Sequence, residues 1–246
     1  MLDRFHALGV HAAIVTEHAW RDSEGAFNLI HRANQEAGAP TLLIPGVEAF
    51  SKEGVDLIVY GRDLNFFSTA TRLGITRPRH WSLDEMIGMV AADPTIDCYL
   101  PHPRGLSKTS VFVNKSTRDQ EILTDRVEKV NGSFFPLHHK FRHLTRPFPK
   151  FAQRLEEAYS YQHQDSQLIF AGSDAHRPRD LNRQFCLTID AERIPTTVEE
   201  AFDLLNQPAG RSWSDHTHKT RLSTLLCQSA ITFCEFLIKQ RTLRRP

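Results

Sequence analysis

The chain alternates short, almost wholly apolar runs with stretches of helical periodicity, and that alternation restricts the fold more than any other feature. The runs are His11 to Thr16, Thr41 to Ile44, Val55 to Tyr60, Ile96 to Leu100, Val127 to Val130, Leu168 to Ala171 and Phe185 to Ile189. Leu168 to Ala171 is too short for a helix and too apolar for a loop, and each of the others likewise reads as a short strand. Between them, 21–37, 63–73, 148–161 and 197–205 carry helical spacing, and Gly38 closes the first of these. Ser82 followed by Glu85 is a capping box that opens a further helix to about Ala92. Leu2, Phe5 and Leu8 share one face ahead of Gly9, which reads as the last turns of a helix. Strands without polar alternation are buried on both faces, which predicts a parallel sheet covered by helices. A closed barrel and an open doubly wound sheet both satisfy that pattern. At 246 residues the chain has the length of one α/β barrel, and no repeat or low-complexity linker divides it.

Composition narrows the function classes. A net charge of +1 argues against a dedicated nucleic-acid surface, though not against a local basic patch. Cys98, Cys186, Cys227 and Cys234 form no CxxC pair and no disulfide framework, as expected of reduced thiols in a cytoplasmic protein. The opening MLDRFHALGV lacks the apolar core of a signal peptide, and no apolar run reaches the ~20 residues that span a bilayer. Residues 220–244 form an amphipathic helical pattern through Leu222, Leu225, Leu226, Phe233 and Leu237. Gln228 and Glu235 interrupt that face, so it suits packing on the domain, or on a second copy as a homodimer, better than packing on a membrane.

The chemistry gathers at the ends of the strands. His18, Glu48, His102, Asn131 and the pair Asp174 and His176 each stand at or just past a strand's end. In LIFAGSDAH (168–176), Asp174 and His176 stand two apart just past a strand, so carboxylate and imidazole point the same way. In parallel α/β folds the carboxyl ends of the strands form the functional face. One histidine at a strand end is more often structural than a ligand; a set holding only His, Glu, Asp and Asn describes a polar site. Nitrogen and oxygen donors without thiolates suit zinc, manganese or iron. Glu48, a carboxylate among histidines, is suited to bridge paired cations, which activate a water and hold phosphoryl oxygens.

The ordered set GVHAAIVTEH (9–18), PGVE (45–48), VDLIVYG (55–61), Pro101-His102-Pro103, VEKVNG (127–132) and GSDAH (172–176) resembles the PHP family, the polymerase and histidinol phosphatase type of metal-dependent phosphoesterase. The resemblance covers about residues 5 to 190. It implies a distorted (β/α)7 TIM-like barrel and hydrolysis of a phosphoester by a metal-activated water, with two or three divalent ions as cofactors. It places metal ligands at His18, Glu48, His102, Asp174 and His176, and catalytic assignments at His102, Asp174 and His176. Asp56 stands where many members carry a metal-binding histidine, so it joins the ligand candidates. Thr16-Glu17-His18 replaces the frequent Thr-Asp-His. Family members open on a strand bearing His-x-His; this sequence starts inside the following helix, and neither His6 nor His11 supplies the motif. The barrel then lacks its first strand, and the natural product is expected to begin about 20–30 residues before Met1.

The expected organisation is a phosphoesterase domain over 1–212 and a helical extension over 213–246. Arg104, directly after His102-Pro103, is the candidate for contact with a substrate phosphate. The basic loop from His138 to Arg146, with Phe141 interleaved, suits charge and stacking contacts with nucleic acid or a solvated surface. Trp20 and Arg177 flank ligand candidates and either line the pocket or pack against it. The substrate is expected to be a small phosphomonoester or a nucleic-acid end. The alternative is a catalytically inactive PHP-like binding or structural module, a consequence of the missing His-x-His.

Overall fold

The structure, a computed structural model, describes residues 2–38, 41–104, 108–117, 122–131, 149–150, 152–153, 168–172, 185–207 and 210–215. Its elements run α1 (Leu2–Ala7), β1 (Ala12–His18), α2 (Ser23–Glu36), β2 (Leu42–Phe50), β3 (Asp56–Gly61), α3 (Phe66–Arg72), α4 (Leu83–Ala91), β4 (Ile96–Tyr99), β5 (Arg126–Asn131), β6 (Leu168–Gly172), β7 (Phe185–Ile189), α5 (Val198–Leu205) and β8 (Arg211–Asp215). Local chemistry sets the helix starts. Asp22 accepts the Gly25 N–H, Thr197 accepts the Glu200 N–H, and Ser82 with Glu85 forms the reciprocal capping box. Gly9, at φ +63°, takes the left-handed turn after α1 that favours glycine. The expected helix over 148–161 is described only at 149–150 and 152–153, and the 220–244 helix lies outside the described residues.

The barrel and the all-parallel sheet are not what the strands build. β1, β2, β3 and β4 form one sheet in that order; β1 and β2 are parallel, but β3 runs antiparallel to both β2 and β4. β5 and β6 pair in parallel, and β7 and β8 pair antiparallel, as two further ladders. Leu100 and Val127 make a parallel bridge that fastens the end of β4 to β5. Among the described residues these mixed sheets close into no barrel. The reason lies in the connection after β2. Residues 51–55 alone separate β2 from β3. A parallel crossover needs a dozen or more residues, so so short a link forces the chain back on itself. β8 was not anticipated, and it runs across the expected domain boundary between 212 and 213.

The strands are apolar on both faces because both faces are covered. One side of the sheet packs Leu43, Val47, Leu57 and Val59 against Phe27 of α2, Phe66 of α3 and Met86 of α4. The other packs Ile44, Ile58, Tyr60 and Tyr99 against Phe170 of β6 and Phe202 of α5. Full burial of each such aliphatic or Phe side chain contributes about 1.5–3 kcal/mol. Tyr60 Oη donates to Asn206 Oδ1 at 2.7 Å, and Arg62 pairs with Asp203 at 2.7 Å, which seats α5 on this second face. No helix among the described residues is long and apolar enough to cross a membrane.

Candidate metal centre

Strand direction brings the candidate ligands to one sheet edge. β1, β2 and β4 run toward that edge and β3 starts from it. His18 and Glu48 are Cα partners, Glu48 pairs with Ile58, and Asp56 lies two residues from Ile58 on the same strand. Cross-strand partners and i, i+2 neighbours share a face, so His18, Glu48 and Asp56 all project on the side of Ile44, Ile58 and Tyr60. His102 arrives from the exit of β4. The site is therefore the polar rim of the second core.

Glu48, Asp56 and His102 form a group that could hold a metal ion, with one donor atom from each lying within 4.8 Å of the others. His102 Nε2 stands 4.0 Å from Glu48 Oε1 and 3.8 Å from Asp56 Oδ2. These separations are too long for hydrogen bonds, which end near ~3.2 Å. They fall inside the ~4.2 Å that two donors can span across one ion at about 2.1 Å from each. The second oxygen of Glu48 is held differently: His18 Nδ1 meets Oε2 at 2.6 Å, and the His18 ring stacks on Trp20 with centroids 4.3 Å apart. All four side chains are largely buried, Asp56 at 4 % exposure and Glu48 at 14 %. Two carboxylates withdrawn from water so close together repel each other, and a divalent cation between them compensates both charges.

His102 is locked from two directions. Its backbone takes φ +32°, the left-handed region that a side chain rarely adopts, and its N–H donates to Glu128 Oε2 at 2.7 Å. Its ring Nδ1 lies 3.1 Å from Ser110 Oγ, which directs Nε2 toward the carboxylates. Ser110 belongs to the 108–117 loop, pinned by the Asp56 N–H donating to Thr109 O and by Asn114 Nδ2 donating to Glu53 O. Cys98, one strand position from this edge, offers no competing ligand. Burial, then the neighbouring Asp97 charge, pushes its thiol up to about 12, so no thiolate forms near neutral pH.

The structure thus gathers His18, Glu48, Asp56 and His102 out of the sequence candidates. Arg104 is exposed just past His102, with its guanidinium 5.3 Å over the Phe112 ring. Trp20 packs against His18 and, edge-on, against Phe50 at 6.1 Å. Asp174, His176, Arg177 and the 138–146 loop lie outside the described residues, as does the side chain of Asn131. Two residues escaped the sequence reading. Neither carried a distinct signal: Glu128 stands next to Lys129 in Val-Glu-Lys-Val (127–130), and only the structure shows it buried, at 4 %.

No protein-family model matches the chain, and no curated protein does. The fold is similar to the crystal structure of PsfC from Pseudomonas syringae PB-5123, with a TM-score of 0.55 and 16% identity over 96% of this chain and 88% of that one. At that identity the likeness concerns the fold alone.

Proposed function

We propose that the chain hydrolyses a phosphoester at divalent metal held by the Glu48, Asp56 and His102 group. The observation that carries this reading is the pair of separations from His102 Nε2 to the two carboxylates, too long for hydrogen bonding and suited to a shared ion. The ordered resemblance to the PHP phosphoesterases across residues 9–176 supports the same chemistry, and on it His18, Asp174 and His176 belong to the ligand set as well. When bound, a divalent ion supplies a Lewis acid for phosphoryl oxygens and a water acidic enough to react near neutral pH.

The chain's own residues then have distinct tasks. Glu48 would offer Oε1 to such an ion, with Oε2 set against His18. Asp56 adds a second carboxylate from a rigid strand start. His102 presents Nε2 with its other nitrogen engaged by Ser110, the arrangement that orients a ligating imidazole. Arg104, exposed beside this edge, contacts a substrate phosphate oxygen. Donors of this mixture suit zinc, manganese or iron, and the substrate is a small phosphomonoester or a phosphorylated nucleic-acid end.

The test is metal content of the purified chain by inductively coupled plasma mass spectrometry, together with hydrolysis of p-nitrophenyl phosphate and of a 3′-phosphorylated oligonucleotide. Retained metal and metal-dependent release of phosphate, both lost in Glu48→Ala, are expected. Metal without hydrolysis of any phosphoester would favour an inactive binding module, and no retained metal would overturn the reading.

A further inference from the structure

We infer that Glu128 is a positioning residue whose buried carboxylate braces the left-handed turn at His102 against Gly172 of β6, so that β6 sets where the His102 imidazole stands. This rests on the metal reading for its consequence, but its geometry stands alone.

The placement begins with the ladder. Leu100 donates to Arg126 O at 3.0 Å and accepts from the Glu128 N–H at 2.9 Å, which holds Glu128 beside the exit of β4. From there Oε2 reaches the His102 N–H at 2.7 Å, a short, charge-assisted bond. A non-glycine residue at φ +32° persists only where its surroundings over-determine it, and this bond ties down that turn at its own amide. The β5–β6 register shifts between Glu128 and Val130, and at the end of β6 Gly172 stands opposite Asn131. There Oε1 occupies the space that a Cβ on Gly172 would need. Gly172 does not take a left-handed φ, so its lack of a side chain answers to this close approach and not to backbone conformation. Burial at 4 % fits a brace and not a surface charge. Ser110 aligns the ring, Glu128 aligns the backbone beneath it, and together they aim Nε2 between Glu48 and Asp56.

The consequence is coupling between two strands that reach the site separately. Substitution on either side of the contact should move His102 in the same way, and the second substitution should add little once the first is made.

The experiment compares Glu128→Gln, Glu128→Ala, Gly172→Ala and the double variant with the native chain. It reads hydrogen exchange of the His102 amide by NMR in metal-free protein, and cobalt(II) affinity and visible absorption in titrations. Faster His102 exchange is expected in Glu128→Ala and in Gly172→Ala, with partial rescue in Glu128→Gln, which keeps a carbonyl acceptor. A tenfold or greater loss of cobalt affinity with an altered spectrum is expected in the same two variants, and the double variant should be no worse than Glu128→Ala. Unchanged His102 exchange in Glu128→Ala, or fully additive losses in the double variant, would overturn the brace. Native protein that binds no cobalt would sink the metal reading while the exchange measurements still decide the brace. Circular dichroism and exchange at distant amides of α4 separate these effects from unfolding.

Discussion

His18 and Glu48 face each other as Cα partners across the β1–β2 ladder, and their side chains meet at 2.6 Å between Nδ1 and Oε2. The close contact sets one carboxylate oxygen against the imidazole and leaves the other toward His102. Removing a partner of this kind typically weakens metal binding about 10–100-fold. His18→Ala is therefore expected to lower zinc and manganese affinity by that factor in isothermal titration calorimetry. Glu48→Ala should abolish binding, because it removes a donor and not its support. Equal affinity in His18→Ala and native protein would show that Glu48 is oriented by something else.

Asp56 makes the opposite case for stability. Its carboxylate is buried near that of Glu48, and in metal-free protein the two charges repel. Asp56→Asn removes one of them at nearly constant shape. The variant should melt at or above the metal-free native protein, yet lose the upward shift that saturating zinc gives the native chain. At an ion concentration a hundred times Kd that shift corresponds to about 2.7 kcal/mol. For a domain of this size each kcal/mol is about 2–4 °C. A variant that melts well below metal-free native protein would mean that Asp56 is structural.

How the sequence announced these residues, and where it was silent, has a physical basis. Strand ends were legible because an apolar run broken by a polar residue marks both the burial and its limit, which located His18, Glu48 and His102. The capping box at Ser82 was legible because both partners sit within one turn. Strand direction was not, since nothing in Val55 to Tyr60 distinguishes a parallel from an antiparallel partner. The one clue was the short stretch between the strand end at Glu48 and Val55, which the surrounding alternation of strand and helix overrode; that β2 runs on to Phe50, leaving only 51–55, was not legible. Ser110 acts through a loop contact with His102 across intervening chain, which leaves no periodic trace. Glu128 sits beside Lys129 in a strand that carries several charges, and only the bridge at Leu100 and the bond to His102 single it out.

The capping box offers a test of stability apart from the site. Ser82 Oγ accepts the Glu85 N–H at 3.2 Å and Glu85 Oε2 accepts the Ser82 N–H at 2.7 Å. Ser82→Ala is expected to cost about 1 kcal/mol. That is about 2–4 °C in thermal melts. Metal affinity should be unchanged, because α4 packs on the face of the sheet opposite the carboxylates. A shift in affinity would mean that α4 communicates with the sheet edge.

Cys98 is expected to contribute to the alkaline limit of the fold. Desolvation in β4, and the Asp97 charge beside it, hold the folded thiol protonated up to about 12, against an ordinary value of 9.0. The folded chain therefore keeps a proton that the unfolded chain releases earlier. Stability from this source is fully present below pH 9.0 and is lost as pH rises from there toward about 12. Cys98→Ala removes the titrating group and adds a packing penalty that does not vary with pH. Urea unfolding from pH 7 to pH 11 should show the native chain more stable than the variant at neutral pH and the gap narrowing above pH 9. Tyr60, whose hydroxyl burial also pushes upward, is present in both proteins, and the Cys98 charge is only a lesser cause of its shift. A gap that stays constant to pH 11 would mean that the buried thiol does not control alkaline unfolding.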